Sequence, residues 1–308
     1  MLHDNELSID LDLVNRLVQD SFPEFGKLPV QPLAASGSSN QLFKLGDEFV
    51  VRLPRQPGGG KALLKEAQWL PQLREQLPLE IPEVVGVGNP IDAFTEHWLI
   101  THWIQGDHPQ IEQTSQADQP AIAYDLAEFV VALRTCPIPK TALTDASLRW
   151  YRGRPLREFD AEMQKNLLVC KGKLGRELDL DTAAAIWAEA LRLPETDTST
   201  RERWFHSDLV AENLLLRNGV LAAVLDFGTL AIGDPTIDLH GAWELFDAEA
   251  RQIFRDRLAV NETDWLRGRA WGLAIACGAL AYYWGKMPAR CEARLSMARA
   301  VLADFENK

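Results

Sequence analysis

The chain has 308 residues, of which 46% are hydrophobic and 25% charged, the composition of an ordinary folded protein rather than a disordered or fibrous one. At roughly 150 residues per domain, this length favours two domains or one large unit of two lobes. A formal net charge of -12 and a pI near 5.0 repel a phosphate backbone, so nucleic acid is not an expected partner.

The first hundred residues alternate between helical and strand patterns. Residues 1–20 form an amphipathic helical pattern and lack the basic start and apolar run of a secretory signal. Short runs separated by turn residues at 30–52 are typical of three antiparallel strands, and leucines at helical spacing predict a helix after the glycine-rich turn at 57–60. Two more strand-like runs follow, at 84–87 and 98–104. We therefore predict an N-terminal nucleotide-binding lobe, residues 1–104, built on a small antiparallel sheet.

From residue 105 onward the pattern is mostly helical. A polar stretch with two prolines at 107–120 predicts a surface connection, and apolar stripes predict helices further on. The apolar stretch 270–285 is shorter than the ~20 residues that span a bilayer, so it predicts a buried helix. Residues 214–227 break the pattern with two strand-like runs around Asn218-Gly219, a strong hairpin turn. The sequence thus predicts an α+β protein whose larger, helical C-terminal lobe spans residues 105–308 and holds the catalytic loop and acceptor site.

Cysteine usage bears on the compartment. Four cysteines, Cys136, Cys170, Cys277 and Cys291, are scattered and form no C-x-x-C pair, which argues against a zinc site and against a disulfide framework. We expect a cytoplasmic protein that does not associate with a membrane.

The segment 206–228 carries the chemistry. It contains His206-x-Asp208, Asn213, the hairpin and Asp226-Phe227-Gly228. Phosphoryl transfer requires a group that orients a hydroxyl and oxygen ligands that hold Mg²⁺ against a triphosphate. Asp226 and Asn213 are therefore candidate metal ligands, and Asp208 is the candidate catalytic base for the acceptor hydroxyl.

We expect the hairpin to bring Asp208, Asn213 and Asp226 to one end of a small two-stranded sheet. The simpler alternative for the two aspartates is helix capping or a turn. For His206 we expect a packed residue that supports the loop rather than an acid or base.

These motifs resemble those of the aminoglycoside phosphotransferase family, also called the phosphotransferase enzyme family, which shares the protein-kinase fold. The family pattern H-G-D-x-x-x-x-N is present with Ser207 in place of glycine, and its G-D-P-x-x-D-L appears as GDPTIDL at 233–239. The resemblance spans nearly the whole chain. It implies a bilobal kinase-like fold and transfer of the γ-phosphate of ATP or GTP, with Mg²⁺, to a hydroxyl of a small-molecule acceptor. An aminoglycoside-type or related antibiotic is the first expectation.

The resemblance also implies a phosphate-binding cation. It assigns residues 49–55 to the strand that normally carries a lysine, and here that position is Arg52, with Glu66 as its expected partner. A solvated surface pair is the alternative. The run Gly-Gly-Gly-Lys at 58–61 does not continue with Ser or Thr and follows no strand directly, so we reject a P-loop there.

Two further segments are expected to bind the nucleotide. Gly37, Ser38 and Ser39 lie where such enzymes close over the triphosphate, although an ordinary hairpin turn is the alternative. Backbone groups of Thr101 and Trp103 are expected to pair with the nucleobase at the end of the last N-terminal strand.

Three interpretations of the function stay open. The protein is a small-molecule kinase acting on an antibiotic, a kinase of a hydroxylated metabolite such as an amino alcohol or sugar, or a catalytically silent nucleotide-binding protein. A protein kinase is disfavoured because the A-P-E motif is missing. In addition, the sequence Gly233-Asp234-Pro235 comes only five residues after Asp226-Phe227-Gly228. Asp160, Glu244 and Asp247 could hold a cationic acceptor, although a solvated face explains them more simply.

Overall fold

The computed structural model describes residues 3, 5–33, 37–110, 118–194 and 202–306. The chain forms two compact units: unit 1 comprises Met1–Gly106 and Ala223–Gly228, and unit 2 comprises Asp107–Ala222 and Thr229–Lys308. The sequence pattern predicted a single division after residue 104. In the structure the chain leaves unit 1 after Gly106 and returns to it for the six residues that contain Asp226.

An antiparallel sheet forms the centre of the described part of unit 1. Its strand order is β1-β2-β3-β5-β4. The strands are β1 (Val30–Pro32), β2 (Asn40–Leu45), β3 (Phe49–Pro54), β4 (Val84–Gly88) and β5 (Trp98–His102). The three strands predicted over residues 30–52 are therefore present, and β3 lies in the middle of the sheet between β2 and β5.

Two helices cover this sheet, α1 (Leu11–Ser21) and α2 (Gly60–Leu73). Asp10 caps α1 by accepting a hydrogen bond from the Leu13 N–H at 2.8 Å. The apolar face of α1 packs into a core that includes Val51 and Leu53 of β3. Because side chains alternate along a strand, Arg52 points to the opposite face of β3, where Glu66 of α2 binds it.

Unit 2 is mainly helical. Its helices are α3 (Gln119–Thr135), α4 (Lys140–Leu143), α5 (Asp160–Leu174), α6 (Leu180–Ala190), α7 (Ala242–Leu245), α8 (Ala248–Leu258), α9 (Glu262–Tyr283) and α10 (Pro288–Glu306). Helix α9 contains most of the apolar stretch 270–285 and packs against α5, α6 and α10. It is the buried helix that the sequence predicted, and no helix in the described ranges is long and apolar enough to cross a membrane.

Two small sheets position the candidate catalytic segments. The hairpin of β7 (Leu214–Arg217) and β8 (Val220–Val224) turns at Asn218 and Gly219, which both have positive φ, as the Asn-Gly pair predicted. A second sheet pairs β6 (Arg203–Phe205) with β9 (Ala231–Gly233). This second sheet was not predicted from the sequence, because a three-residue strand is too short to show a period. The chain from 206 to 213 continues directly from β6.

Candidate active site

The predicted pair of Arg52 and Glu66 forms in unit 1. The Arg52 guanidinium donates two hydrogen bonds to the Glu66 carboxylate, Nη1 to Oε2 at 2.5 Å and Nη2 to Oε1 at 2.9 Å. Glu66 is fully buried and Arg52 nearly so, which excludes the solvated surface pair. Burial lowers the pKa of Arg52, but Glu66 and Asp226 more than offset it, so the guanidinium stays charged.

Asp226 lies beside this pair. Residues 223–228 join unit 1 through a hydrogen bond from the Val224 N–H to the Glu80 carbonyl at 2.9 Å. This places Oδ1 of Asp226 at 3.8 Å from Arg52 Nη2, while 34% of the Asp226 side chain stays exposed. Asp226 has a φ of 58°, a conformation that aspartate tolerates better than most residues. Unit 1 thus presents a partly exposed carboxylate next to a buried, charged arginine.

The segment Gly37, Ser38 and Ser39 is tied down through its carbonyl oxygens. Arg55 Nε donates to the Gly37 carbonyl at 3.0 Å, the Arg55 N–H donates to the Ser39 carbonyl at 2.9 Å, and the His3 ring lies at 2.9 Å from the Ser38 carbonyl. In a trans peptide unit the N–H points away from the carbonyl, so the N–H groups of Ser38 and Ser39, which a triphosphate would need, face away from these contacts. The preceding residues of the predicted loop, 34–36, lie outside the described ranges.

Thr101 and Trp103 differ in what they can offer a nucleobase. Thr101 is buried within the sheet, paired with Val50 on one side and Val84 on the other, so its backbone groups face neighbouring strands. The Trp103 N–H donates to the Glu48 carbonyl at 2.7 Å, which leaves its carbonyl oxygen as the group that could bind a base. The Trp103 ring is partly exposed.

The glycine-rich turn before α2 binds a carboxylate of the protein itself. Glu96 accepts hydrogen bonds from the Gly58 N–H at 2.8 Å and from the Gly60 N–H at 3.0 Å. These N–H groups would otherwise resemble an anion site at a helix N-terminus. Their use by Glu96 agrees with the rejection of a P-loop.

In unit 2, the side chain of Asp208 is held by Asn213. The Asn213 amide nitrogen donates to the Asp208 carbonyl at 2.8 Å and to its carboxylate Oδ2 at 2.9 Å. With the amide nitrogen turned to Asp208, the amide oxygen of Asn213 is the atom that could face a cation. The Asp208 side chain keeps 32% of its exposure, so it can meet a ligand.

Asp208 has an unusually acidic carboxyl group. Burial by itself would raise the pKa of Asp208. The positive charges of Arg152 and, to a smaller extent, Arg294 lower this pKa to about 2. Nη1 of Arg152 lies at 3.3 Å from Asp208 Oδ1. The carboxylate is therefore ionised at neutral pH.

The loop that carries Asp208 is fixed by Asp238. The buried carboxylate of Asp238 accepts hydrogen bonds from the His206 N–H at 3.0 Å and from the Ser207 N–H at 2.6 Å. Ser207 has a φ of 70°, the left-handed region that favours glycine. His206 is fully buried, and its Nδ1 accepts a hydrogen bond from the Asp208 N–H at 3.2 Å. His206 thus supports the loop, the role expected from the sequence.

A family model described as the phosphotransferase enzyme family matches residues 30–271, well over half of the chain. This chain belongs to the phosphotransferase enzyme family. The family predicted from the motifs is confirmed, and so is the prediction that the protein is an enzyme, a phosphotransferase. A comparison with curated protein sequences gives no significant match.

Solved structures with the same fold include antibiotic phosphotransferases. The GDP complex of wild-type aminoglycoside 2'-phosphotransferase-IIIa is 19% identical with a TM-score of 0.71, over 96% of this chain and 100% of that one. ADP-bound aminoglycoside phosphotransferase APH(2'')-Ib is 18% identical with a TM-score of 0.64, over 96% and 99%. The apoenzyme of macrolide 2'-phosphotransferase MphH from Brachybacterium faecium is 17% identical with a TM-score of 0.60, over 94% and 97%. These similarities confirm the predicted kinase-like α+β fold.

Two residues that shape the candidate site of this phosphotransferase were not predicted from the sequence. Asp238 belongs to the quoted GDPTIDL motif, so the signal was present, but no role was assigned to it. Arg152 lies 56 residues before Asp208 in the sequence, inside a short 3-10 helix, and no motif marks it.

The three acids suggested for a cationic acceptor all have structural partners. Asp160 accepts a hydrogen bond from Trp187 Nε1 at 2.8 Å, and Asp247 caps α8 by accepting from the Ala250 N–H at 2.9 Å. Glu244 is buried and forms an ion pair with Arg294. The solvated-face interpretation is therefore wrong for Glu244.

Proposed function

We propose that this phosphotransferase is a small-molecule kinase that transfers the γ-phosphate of ATP or GTP to a hydroxyl group of a small acceptor. The observation that carries the proposal is the partly exposed carboxylate of Asp208, held by Asn213 and Arg152 on the H-x-D loop of a family member. A partly exposed carboxylate that is held from two sides is suited to orienting an incoming hydroxyl.

In the proposed step, the hydroxyl oxygen of the acceptor forms a bond to the γ-phosphorus while the bond from that phosphorus to the β–γ bridging oxygen breaks. The nucleoside diphosphate leaves with the electron pair, and the hydroxyl proton passes to Asp208. A carboxylate with a pKa of about 2 is a weak base. Because the transition state of phosphoryl transfer is loose, orientation of the hydroxyl by Asp208 matters more than early removal of its proton.

Asp226 and Asn213 have side-chain oxygen atoms that can serve as ligands of Mg²⁺. The described residues contain no group of three or more His, Cys, Asp or Glu side chains that could form a metal site. In phosphoryl-transfer sites, Mg²⁺ is commonly held by one or two carboxylates together with phosphates. We propose that one Mg²⁺ binds the partly exposed carboxylate of Asp226 and that a second binds the amide oxygen of Asn213. When bound, Mg²⁺ neutralises charge on the phosphate oxygens.

For the nucleotide we propose Arg52 as the phosphate-binding cation and Glu66 as the residue that holds it. The N–H groups of Gly37, Ser38 and Ser39 would contact the triphosphate, and the Trp103 carbonyl would contact the base. The backbone groups of Thr101 face the neighbouring strands of the sheet, so we propose no contact between Thr101 and the base. ATP and GTP are both retained, since similar structures hold either ADP or GDP.

For the acceptor we propose an aminoglycoside-type or related antibiotic first, supported by the names of the similar structures. The structural use of Asp160, Glu244 and Asp247 gives a specific reason to test a less cationic, hydroxylated metabolite with equal weight. We place the reaction in the cytoplasm because all four cysteines are free and buried, as in a reducing compartment.

The test is an acceptor screen monitored by phosphate transfer, with aminoglycosides, macrolides and hydroxylated metabolites, each with ATP and with GTP. The wild-type enzyme is expected to phosphorylate one class, and EDTA is expected to abolish the reaction. Asp208→Ala is expected to reduce kcat by about 100-fold or more, the usual contribution of a positioned acid or base. Nucleotide binding without hydrolysis or transfer would instead support a silent nucleotide-binding protein.

A further inference from the structure

Arg152 contacts the loop that carries the candidate base at two points. Its Nη1 donates to the Ser207 carbonyl at 2.6 Å and lies at 3.3 Å from Asp208 Oδ1. Only 18% of the Arg152 side chain is exposed. Since Asn213 binds the other oxygen, Oδ2, the two carboxylate oxygens of Asp208 each have one donor. Each oxygen therefore keeps a lone pair for a ligand.

The backbone around Arg152 is closely packed within unit 2. Arg152 lies in the 3-10 helix Tyr151–Gly153, and the Asp234 N–H donates to the Gly153 carbonyl at 3.1 Å. A Cβ at Gly153 would lie 2.4 Å from the Phe205 ring, and a Cβ at Gly233 would lie 2.6 Å from the Gly153 carbonyl oxygen. Two glycines thus allow this turn to pack directly on β6 and β9, the strands that flank the Asp208 loop.

A further hydrogen bond holds the Arg152 side chain. Its Nε donates to the Tyr151 hydroxyl at 3.0 Å. The Tyr151 ring is in turn stacked on Phe159, with 5.4 Å between ring centroids. A guanidinium bound at Nε and Nη1 has little rotational freedom. A fixed Arg152 side chain therefore restricts the position of the Asp208 carboxylate that it contacts.

We propose that Arg152 is a positioning residue of this active site, which holds the Asp208 carboxylate against Asn213 so that its remaining lone pairs are aimed at the acceptor hydroxyl. This inference rests on the proposed function. Arg152 acts through Asp208, so its contribution should exist only while Asp208 is present. Arginine is needed because one nitrogen must reach both the Ser207 carbonyl and the carboxylate while another binds Tyr151.

The experiment compares Arg152→Ala and Arg152→Lys with the matched control Arg154→Ala, which removes an arginine that is 63% exposed and pairs with Glu158. A displacement of the base by an ångström costs about 100-fold in rate, so Arg152→Ala is expected to lower kcat by about that factor. The KM for the nucleotide should not change. Arg152→Lys should recover part of kcat, because an ammonium can still reach one of the two oxygens. Arg154→Ala should match the wild type.

A double-mutant cycle separates positioning from general damage to the fold. In an Asp208→Ala background, the added Arg152→Ala change is expected to lower the residual kcat by no more than about twofold. An equal loss in both backgrounds would overturn the inference, as would full activity of Arg152→Ala beside an inactive Asp208→Ala. If the wild type itself phosphorylated no acceptor, the proposed function would fail first and the inference with it. The wild-type measurement therefore distinguishes the two failures.

Discussion

At the scale of single residues, Ser207 shows how the loop tolerates an unfavourable backbone. Its φ of 70° lies in the left-handed region, which costs a residue with a Cβ roughly 1–2 kcal/mol. Three hydrogen bonds hold it there. The Ser207 N–H donates to Asp238 at 2.6 Å, its Oγ donates to the Thr229 carbonyl at 3.3 Å, and its carbonyl accepts from Arg152 at 2.6 Å. The family pattern has glycine at this position, where no such cost arises.

Replacing Ser207 should therefore separate backbone strain from the loss of its hydroxyl. Ser207→Gly and Ser207→Ala both remove Oγ, but only the glycine variant relieves the left-handed strain. We expect Ser207→Gly to be more stable than Ser207→Ala by about 1 kcal/mol, measured by urea unfolding. An alanine variant as stable as the glycine variant would show that the loop relaxes to another backbone conformation.

At the scale of elements, the start of α2 depends on a residue from another part of unit 1. No side chain of the helix itself caps it, and its N-cap is Gly59. The Glu96 carboxylate supplies the missing acceptors by binding the Gly58 and Gly60 N–H groups. Since α2 also carries Glu66, this contact stabilises the element that holds Arg52.

We therefore expect Glu96→Gln to destabilise the protein by about 1 kcal/mol, because the amide keeps one acceptor oxygen and loses the negative charge at the helix N-terminus. The free energy of unfolding in urea measures it. Glu75→Gln is the matched control, an exposed acid beyond the other end of α2 that makes no such contact with its N-terminus. Equal stability of Glu96→Gln and wild type would contradict the capping role.

Elements with a clear local pattern could be predicted from the sequence. The antiparallel strands of unit 1, the buried helix α9 and the Asn-Gly hairpin all have a period or a turn residue that marks them. The pair β6 and β9 could not be predicted, because Arg203 pairs with Gly233 across thirty residues and each strand has only three. Long-range pairing of short strands depends on the whole fold.

Across the whole protein, the residues of the candidate site also fall into those that could be predicted from the sequence and those that could not. Asp208, Asn213 and Asp226 were predicted from one continuous motif, and Arg52 and Glu66 from the family resemblance. Arg152 was not predicted, because it acts on a loop far from it in sequence and nothing local distinguishes it from a surface charge. The same holds for Glu96, which binds the N–H groups at the start of α2. Predicting such residues requires knowing which turns pack together, which is a property of the tertiary structure.

One buried histidine of unit 2, His240, contributes to the acid stability of the protein between pH 7 and pH 5. Burial lowers the pKa of His240 to about 3, although its Nδ1 bonds to the Ile237 carbonyl at 2.6 Å. In the unfolded chain, histidine has its ordinary pKa of about 6.5 and takes up a proton below that pH. The folded state does not, so the stability present above pH 6.5 is lost as the pH falls. By linkage, the loss between pH 7 and pH 5 is about 2 kcal/mol.

His240→Asn removes this ionisable group and keeps an N–H donor for the Ile237 carbonyl. Urea unfolding of both proteins at pH 7 and pH 5 should show a loss on acidification that is smaller in the variant by about 2 kcal/mol. Tryptophan fluorescence suits the measurement because seven of the ten tryptophans lie in unit 2. Between pH 7 and pH 8.5 the two proteins should change alike, whatever their absolute stabilities, because neutral histidine does not titrate there. Equal losses at pH 5 would mean that His240 is protonated in the folded state, and that its burial has little effect on acid stability.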